Sequence, residues 1–349
     1  MSNPKWRNFI RSESVRLHQG SLITDAGQPQ FGQFDNLFSD LGIDKFKYFN
    51  EMDGLASRWA KYFHYKQFQF VCIVTPDYLI GIAIADIRYL GSGFCYLYEI
   101  ESNTLHEESW LRPMNLGYQT TPSSSFGQAS IHHNAIQFLI HEGEWRVKIN
   151  TNGVQCDVQL TADQESYPLA MCTPTGYRGW TYTQKHNALG LAGELKVRGQ
   201  TQDITRCLAS YDFSAGYMRR ETSWRWASLN AVVEGVGVGL NLAQGVNETG
   251  ECENVLWIGN QRIHLGLVNF VFDRHKPYEQ TWRVSTKDGR VDLQFKPINT
   301  RKEKMNVYFL KSNFRQFIGH FEGYVIDTSG HRVELNQVIG LVEDHYAKW

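Results

Sequence analysis

The sequence has no dominant charge, since 35 Lys and Arg residues stand against 36 Asp and Glu residues in 349, for a formal net charge of −1. No overall field therefore draws the molecule toward nucleic acid or anionic lipid. Clusters of basic residues are scarce too, and the short run at 301–304 contains a Glu. We expect no nucleic-acid partner.

Long apolar runs are also missing. No stretch approaches the roughly 20 apolar residues of a membrane-spanning helix, and the N-terminal stretch MSNPKWRNFIRSESVRLHQG has no apolar core of signal-peptide length. The sequence thus predicts no transmembrane segment and a cytoplasmic location.

The motifs of several site classes are absent. The six cysteines are scattered and never form C-x-x-C, which favours buried free thiols over a zinc site. Neither the zinc-binding H-E-x-x-H nor the nucleophile motif G-x-S-x-G occurs. We expect no metal and no cofactor.

Strand-like runs fill most of the chain. Aromatic residues make up 13% and Pro residues number only 9, a balance that suits pleated, half-buried surfaces. Turn pairs such as Asn152-Gly153 and Asp288-Gly289 separate runs of alternating polarity, as in hairpins. The sequence predicts an all-β fold of barrels or strongly bent sandwiches, with short helices around FDNLFSDLG or NEMDGLASRWAKYF.

Two segments resemble each other internally. EWRVKINTNGVQCDVQL (144–160) and TWRVSTKDGRVDLQF (281–295) share Trp-Arg-Val, a turn and an Asp-containing strand, and Arg-Trp-Ala occurs at both 58–60 and 225–227. Alternation within strands also produces such matches by chance. We predict two similar β domains, 1–185 and 186–349, the second of which carries a glycine-rich strand.

That glycine-rich stretch is VVEGVGVGLNLAQG, residues 232–245. Leu240 stands where a dinucleotide motif needs its third glycine, and no Lys follows as in a P-loop, so neither phosphate-binding pattern fits. With strand periodicity, Glu234 shares one face with Val and Leu residues. The opposite face carries Gly235, Gly237, Gly239, Asn241, Ala243 and Gly245. Either large neighbours such as Trp224 and Trp226 cover this bare face, or it leaves room for a ligand.

Aromatic and isolated polar residues surround the stripe, a combination typical of small-molecule sites. The predicted ligand-binding residues are Lys185, His186, Trp224, Trp226, Gly237, Gly239, Asn241, Asn254 and Trp257. If the site is catalytic, Asp212 is the best candidate for the acid. Each has a purely structural alternative: Asn254 could bridge backbone groups, Trp257 could be core, and His186 could be hydrogen-bonded beside a turn.

Several motifs carry a family resemblance over nearly the whole chain. They are YDFSAGYMRRETSWRWASLN, VGLNLAQGV, ENVLWIGN, WRVSTKDGRVDLQF, VIGLVEDHYAKW, RWAKYF, LIGIAIADIRYLG and YTQKHNALGLAGELKV. They resemble the bacterial DUF2804 family, which is distantly similar to carotenoid hydratases, tocopherol cyclases and AttH-like proteins. This resemblance implies tandem lipocalin-like (calycin-type) β-barrels with an apolar ligand cavity, and it assigns no catalytic residue.

Three functions remain open at this stage. The first is binding of a small apolar molecule, lipid or isoprenoid-like, in a barrel cavity. The second is a cofactor-free hydratase, cyclase or isomerase in which Asp212 protonates a polyene and the faces of Trp224, Trp226 and Trp257 stabilise the cation. The third is a structural or partner-binding β protein without a ligand.

Overall fold

The computed structural model describes residues 15–246, 249–307 and 310–349. Residues 1–14 lie outside the described residues. They include most of the N-terminal stretch in which we predict no signal peptide. Strands hold 64% of the chain, and the described residues form a single α-helix. The prediction of an all-β fold with two barrel-like domains is confirmed. The chain divides into two compact units, Met1–Met218 and Arg219–Trp349, here called unit 1 and unit 2.

Unit 1 is a nearly closed barrel. Its 14-stranded antiparallel sheet follows the path β7-β6-β5-β4-β16-β14-β12-β11-β10-β9-β8, with β2, β13 and β15 off this path, and β1 pairs in parallel with β3. Its strands are β1 (Leu17–Ser21), β2 (Gly32–Phe34), β3 (Leu37–Asp40), β4 (Lys66–Val74), β5 (Tyr78–Asp86), β6 (Leu90–Glu99), β7 (Thr104–Pro113), β8 (Tyr118–Thr120), β9 (Phe126–Ile131), β10 (Ile136–His141), β11 (Glu144–Asn150), β12 (Val154–Thr161), β13 (Leu169–Thr175), β14 (Gly179–Val197), β15 (Gln200–Thr201) and β16 (Leu208–Gly216).

Aromatic side chains fill the core of unit 1. Trp145, Trp180 and Phe213 are all fully buried within one hydrophobic cluster. Strand alternation brings them there, because every second residue of a strand points to the same side. The barrel interior is therefore packed with the protein's own side chains.

Unit 2 is a half-barrel formed by one nine-stranded antiparallel sheet in the order β20-β19-β18-β17-β25-β24-β23-β22-β21. Its strands are β17 (Glu221–Val233), β18 (Val236–Gln244), β19 (Val255–Ile258), β20 (Gln261–His264), β21 (Val268–Val271), β22 (Trp282–Thr286), β23 (Val291–Val307), β24 (Leu310–Ile326) and β25 (Arg332–Lys348). A register shift between Pro297 and Asn299 of β23 reverses which residues of that strand point to the core.

The border between the units lies after Met218, downstream of the domain boundary that we predict at 185/186. A single strand, β14, runs through residues 185 and 186 and pairs on one side with β16, so it belongs wholly to unit 1. Just after the predicted boundary the strand has a bulge, with a register shift between His186 and Leu189 and Ala188 at φ 57°.

The internal similarity of 144–160 and 281–295 is structural. Both segments form antiparallel hairpins, β11–β12 and β22–β23, and in each the arginine lies opposite a glutamine. Arg146 Nε lies 2.5 Å from Asp157 Oδ1, and Arg283 Nε lies 3.0 Å from Asp292 Oδ1. The two units therefore share one hairpin in the same register.

The similarity based on Arg-Trp-Ala is not structural, and this part of the prediction is wrong. Residues 58–60 open the helix α1 (Arg58–His64), whereas residues 225–227 lie within β17. Ser57 caps α1 by accepting a hydrogen bond from the Ala60 N–H at 3.1 Å. Of the two helix predictions, the one around NEMDGLASRWAKYF is confirmed, while FDNLFSDLG contains the strand β3.

Five of the six cysteines are buried thiols and Cys252 is half-buried. Burial raises the pKa of Cys95 to about 12, so this thiol is inert rather than nucleophilic. No helix within the described ranges is long and apolar enough to cross a bilayer.

Candidate functional site

The glycine stripe lies on β18, and its first glycine belongs to the preceding turn. Glu234 and Gly235 connect β17 and β18 with φ of 51° and 81°, as a two-residue hairpin turn requires. The prediction that Glu234 and Gly235 lie on opposite faces of a strand is therefore wrong. From Val236 onward the predicted alternation holds, since Val238 and Leu240 enter the core of unit 2.

Most of the opposite side of the sheet is buried as well, although it points away from that core, and Trp224, Phe314, Glu343 and His345 are half-buried there. We call this surface the striped face. It consists of Trp224, Trp226, Ser228 and Asn230 of β17; Gly237, Gly239, Asn241 and Ala243 of β18; Val255 and Trp257 of β19; Arg301 of β23; Phe314, Gln316 and Ile318 of β24; and Leu341, Glu343 and His345 of β25. Six of the predicted ligand-binding residues belong to it.

Tryptophans lie beside the glycines of the striped face. Trp257 is fully buried and pairs directly with Gly239, and the buried Trp226 pairs with Ala243. Directly paired residues have side chains on the same side of a sheet, about 5 Å apart. The small residues of β18 thus lie next to indole rings, the arrangement expected if large neighbours cover a bare strand.

The two predicted asparagines bind backbone and indole groups. Asn241 Oδ1 accepts from Trp226 Nε1 at 2.7 Å, and Asn241 Nδ2 donates to the Glu253 carbonyl at 2.7 Å. Asn254 Oδ1 accepts from the Ala243 N–H at 2.7 Å, and its Nδ2 donates to a carbonyl of the following loop. These contacts give both side chains a structural role.

A carboxylate lies among the aromatic residues of the striped face. Glu343 Oε2 accepts from Trp224 Nε1 at 3.0 Å, and Glu343 Oε1 accepts from Gln316 Nε2 at 2.7 Å. Strand pairing places all three on one side of the sheet, because Glu343 lies opposite both Trp226 and Gln316. Sequence reasoning missed Glu343 and Gln316, since their strands, β25 and β24, are far from β18 in the sequence.

A neutral histidine accompanies this carboxylate. The rings of His345 and Trp224 lie 4.1 Å apart, and His345 Nε2 lies 3.0 Å from Ser312 Oγ. Burial lowers the pKa of His345 to about 3, and the nearby charge of Arg301 acts in the same direction. Among the described residues, His345 Nδ1 has no hydrogen-bond partner. The striped face therefore combines an aromatic wall, a carboxylate, a guanidinium and a neutral imidazole.

The remaining predicted site residues belong to unit 1. Lys185 of β14 pairs with Asp212 of β16, and Lys185 Nζ lies 2.5 Å from Asp212 Oδ2. Ser214 Oγ donates to the other carboxylate oxygen at 3.2 Å. The predicted acid thus takes part in an ion pair with a buried lysine.

His186 is buried next to Lys185 in β14, and the two side chains point to opposite sides of the sheet. Its Nε2 lies 3.0 Å from Ser166 Oγ, and its ring packs edge-on against Tyr211 in the barrel core. His186 and Lys185 therefore do not line one common surface.

Unit 2 also has an open surface cleft of about 590 Å³. It is lined by Thr281, Trp282, Arg283, Asp292, Gln294, Glu322, Gly323, Tyr324 and Arg332. This lining is mostly polar and includes none of the predicted site residues. Within the described part of the chain, no group of three or more His, Cys, Asp or Glu side chains is placed to hold a metal ion.

Comparison with known proteins identifies a matching family and proteins of similar structure. The sequence profile of DUF2804, a domain of unknown function, matches residues 14–349, and no curated protein matches the sequence. The structure is similar to CghA with Sch210972 at 9% identity, over 96% of this chain and 98% of that chain, with a TM-score of 0.53. An AttH-type protein (NE1406) from Nitrosomonas europaea is 11% identical over 81% of this chain and 91% of that chain, with a TM-score of 0.45. At 9% identity, the similarity to CghA shows a shared fold and nothing more.

Proposed function

Because the chain belongs to the DUF2804 family, a family with no assigned activity, we propose its function from the arrangement of its own residues. The protein binds a small, largely apolar molecule of lipid or isoprenoid-like type. The striped face of unit 2 is the proposed binding surface. The observation that carries this is the half-buried Glu343 carboxylate, which accepts hydrogen bonds from Trp224 and Gln316 on an aromatic surface outside the core.

The chemistry of the striped face suits such a ligand. Aromatic walls with a few fixed polar groups are the usual lining of small-molecule sites. Trp224 and Phe314 supply ring surface around His345, which burial keeps neutral. Glu343 and Gln316 offer an acceptor and a donor for a polar end group. The fold also accommodates small molecules elsewhere, since CghA was solved with Sch210972.

The proposal moves the ligand from the barrel interior to the striped face. In unit 1 the interior is filled by side chains such as Trp145 and Trp180. In unit 2 one side of the sheet is filled by a cluster that includes Trp282 and Phe317. A ligand is therefore better supported on the side of the unit 2 sheet that the core does not use.

Binding of cis-parinaric acid, a fluorescent polyene fatty acid, tests the proposal. We expect saturable fluorescence enhancement with the intact protein. Trp224→Ala should weaken binding by about tenfold or more, because truncating an aromatic anchor of a binding surface typically costs about 2 kcal/mol. Glu343→Gln should bind the fatty acid at least as tightly, since the amide removes a negative charge that would repel the probe's own carboxylate.

Tyr324→Ala is the matched control, because Tyr324 is a half-buried aromatic residue of the same sheet that lines the polar cleft and not the striped face. It should bind the probe like the intact protein. Equal affinity in the Trp224 and Tyr324 variants would contradict the assignment to the striped face. An organic extract of the purified protein that contains no apolar molecule by mass spectrometry, together with no probe binding, would rule out the function itself.

A cofactor-free hydratase, cyclase or isomerase is the second candidate, and the acid of the striped face favours it. Glu343 contacts the Trp224 indole, whereas Asp212 is ion-paired with Lys185 in unit 1. If the chain turns over a polyene, Glu343→Gln should abolish product formation and Asp212→Asn should leave it intact. Product analysis by mass spectrometry distinguishes the two acids; loss of product only in Asp212→Asn would restore Asp212 as the acid.

A further inference from the structure

Apolar side chains are exposed together at one end of unit 1. Around α1 they come from the preceding loop, from the helix itself and from the loop after β7. We call this set the apolar patch: Met52 is 87% exposed, Leu55 72%, Trp59 73%, Tyr62 37%, Met114 56% and Leu116 66%. Soluble proteins rarely expose so many large apolar side chains side by side unless the surface binds something.

Specific contacts hold the three parts of the apolar patch together. Asn115 Nδ2, in the loop after β7, donates to the Tyr62 hydroxyl of α1 at 2.7 Å. In the loop before α1, Leu55 forms a β-bridge with Phe49. Within α1, the rings of Trp59 and Phe63 stack at 6.1 Å. The patch is therefore a fixed surface and not a set of unrelated side chains.

The helix α1 gains little from packing on its own unit. None of its seven residues is buried, although apolar burial normally supplies most of the stability of a helix this short. Trp59 and Phe63 are one turn apart and lie on the same side of the helix. The side chains that would stabilise α1 by burial are thus directed outward.

Basic residues accompany the apolar patch. Arg58 and Lys61 lie on α1, and Arg112 lies near the end of β7. These three basic residues stand against two acidic ones, Glu51 and Asp44; Asp53 is paired with an arginine, and the Asp44 carbonyl accepts from Lys61 Nζ at 2.8 Å. This local excess of positive charge is complementary to an anionic surface, although the chain as a whole is nearly neutral.

From these observations we propose that the apolar patch docks on an anionic lipid bilayer. Trp and Tyr rings favour the membrane–water interface, and an interfacial helix combines such rings with Lys and Arg that contact acidic headgroups. Met52, Leu55 and Trp59 enter the interface, while Arg58 and Lys61 stay at headgroup level. The proposal concerns unit 1 alone and does not depend on the ligand of unit 2.

Co-sedimentation with vesicles tests this docking. Vesicles of phosphatidylcholine containing a fifth of phosphatidylserine should bind the full-length chain, and pure phosphatidylcholine vesicles should bind it less. A triple variant, Met52→Ser, Leu55→Ser and Trp59→Ser, should lose about tenfold or more of this binding, since each buried apolar side chain contributes more than about 1 kcal/mol. Added salt should weaken binding to the anionic vesicles.

A double variant of exposed unit 2 residues, Leu267→Ser and Val271→Ser, is the matched control, since it also removes exposed apolar surface. It should bind vesicles like the unaltered chain. All replaced residues are exposed, so circular dichroism should confirm folding of both variants. Absence of vesicle binding, or equal binding by the two variants, overturns the proposal. So does a dimer in solution that only the patch variant dissociates, because the patch would then be a contact between two copies of the chain.

Discussion

Replacing Asn241 with alanine distinguishes a structural from a ligand-binding role of the striped face. The side chain is 1% exposed, and its two hydrogen bonds serve Trp226 Nε1 and the carbonyl of Glu253, both at 2.7 Å. Alanine removes a partner from each of these buried groups. An orphaned buried polar group costs about 1–3 kcal/mol, so Asn241→Ala should lower the free energy of unfolding by about 2–5 kcal/mol.

Urea denaturation followed by tryptophan fluorescence measures this loss, and amide hydrogen exchange locates it. Protection should fall first in peptides from β17, β18 and the segment around residue 253, because Asn241 connects them. Asn269→Ala is the control, as Asn269 is exposed on β21 of the same sheet; surface changes of this kind stay within about 0.5 kcal/mol. A loss below about 1 kcal/mol in Asn241→Ala, accompanied by loss of parinaric acid binding, would refute the structural role and make Asn241 a ligand-binding group.

Two glycine replacements should lower the free energy of unfolding by different amounts. Gly235→Ala should lower it by about 1 kcal/mol, since alanine is strained there only by the backbone conformation (φ 81°) and no atom lies within 4 Å of an added Cβ. Gly323→Ala should lower the free energy of unfolding clearly more in urea titrations, because its Cβ would lie 2.3 Å from the Asp292 carbonyl oxygen. Equal losses of stability in the two variants would contradict this clash. The pKa of His345 is about 3 when folded and 6.5 ordinarily, so the unfolded chain takes up a proton between these values and stability should fall as the pH falls through this window. His345→Gln should reduce this pH dependence in urea titrations at pH 7 and pH 5, and an unchanged dependence would show that His345 does not cause it.

The strands could be predicted from the sequence because their alternation is local. Val238 and Leu240 point to the core, as their period of two requires. The domain boundary could not be read in this way, since the turn-like residues of β14 form a bulge within a continuous strand. The Arg-Trp-Ala similarity failed for a related reason: three shared residues do not determine whether a segment becomes α1 or part of β17.

The candidate site was predicted in part. Trp224 and Trp226 share a face because they are two residues apart, which the sequence shows directly. Glu343 and Gln316 join them only through pairing between strands distant in sequence, and no local pattern specifies that pairing. Lys185 was predicted to bind the same ligand as the glycine-rich strand, yet its direct partner is Asp212 in unit 1.

The shared hairpin shows where a search for function should be directed. In unit 1 the Trp145 ring stacks on Tyr211 at 4.6 Å, and in unit 2 the Trp282 ring stacks on Phe272 at 4.0 Å. Both tryptophans are core residues, and the adjoining Arg–Asp pairs are partly exposed ion pairs of the kind that add at most about 1 kcal/mol. What the two hairpins share is therefore explained by folding alone. Features that such a shared element does not explain, such as the carboxylate of Glu343 beside the neutral His345, are the better candidates for a function specific to unit 2.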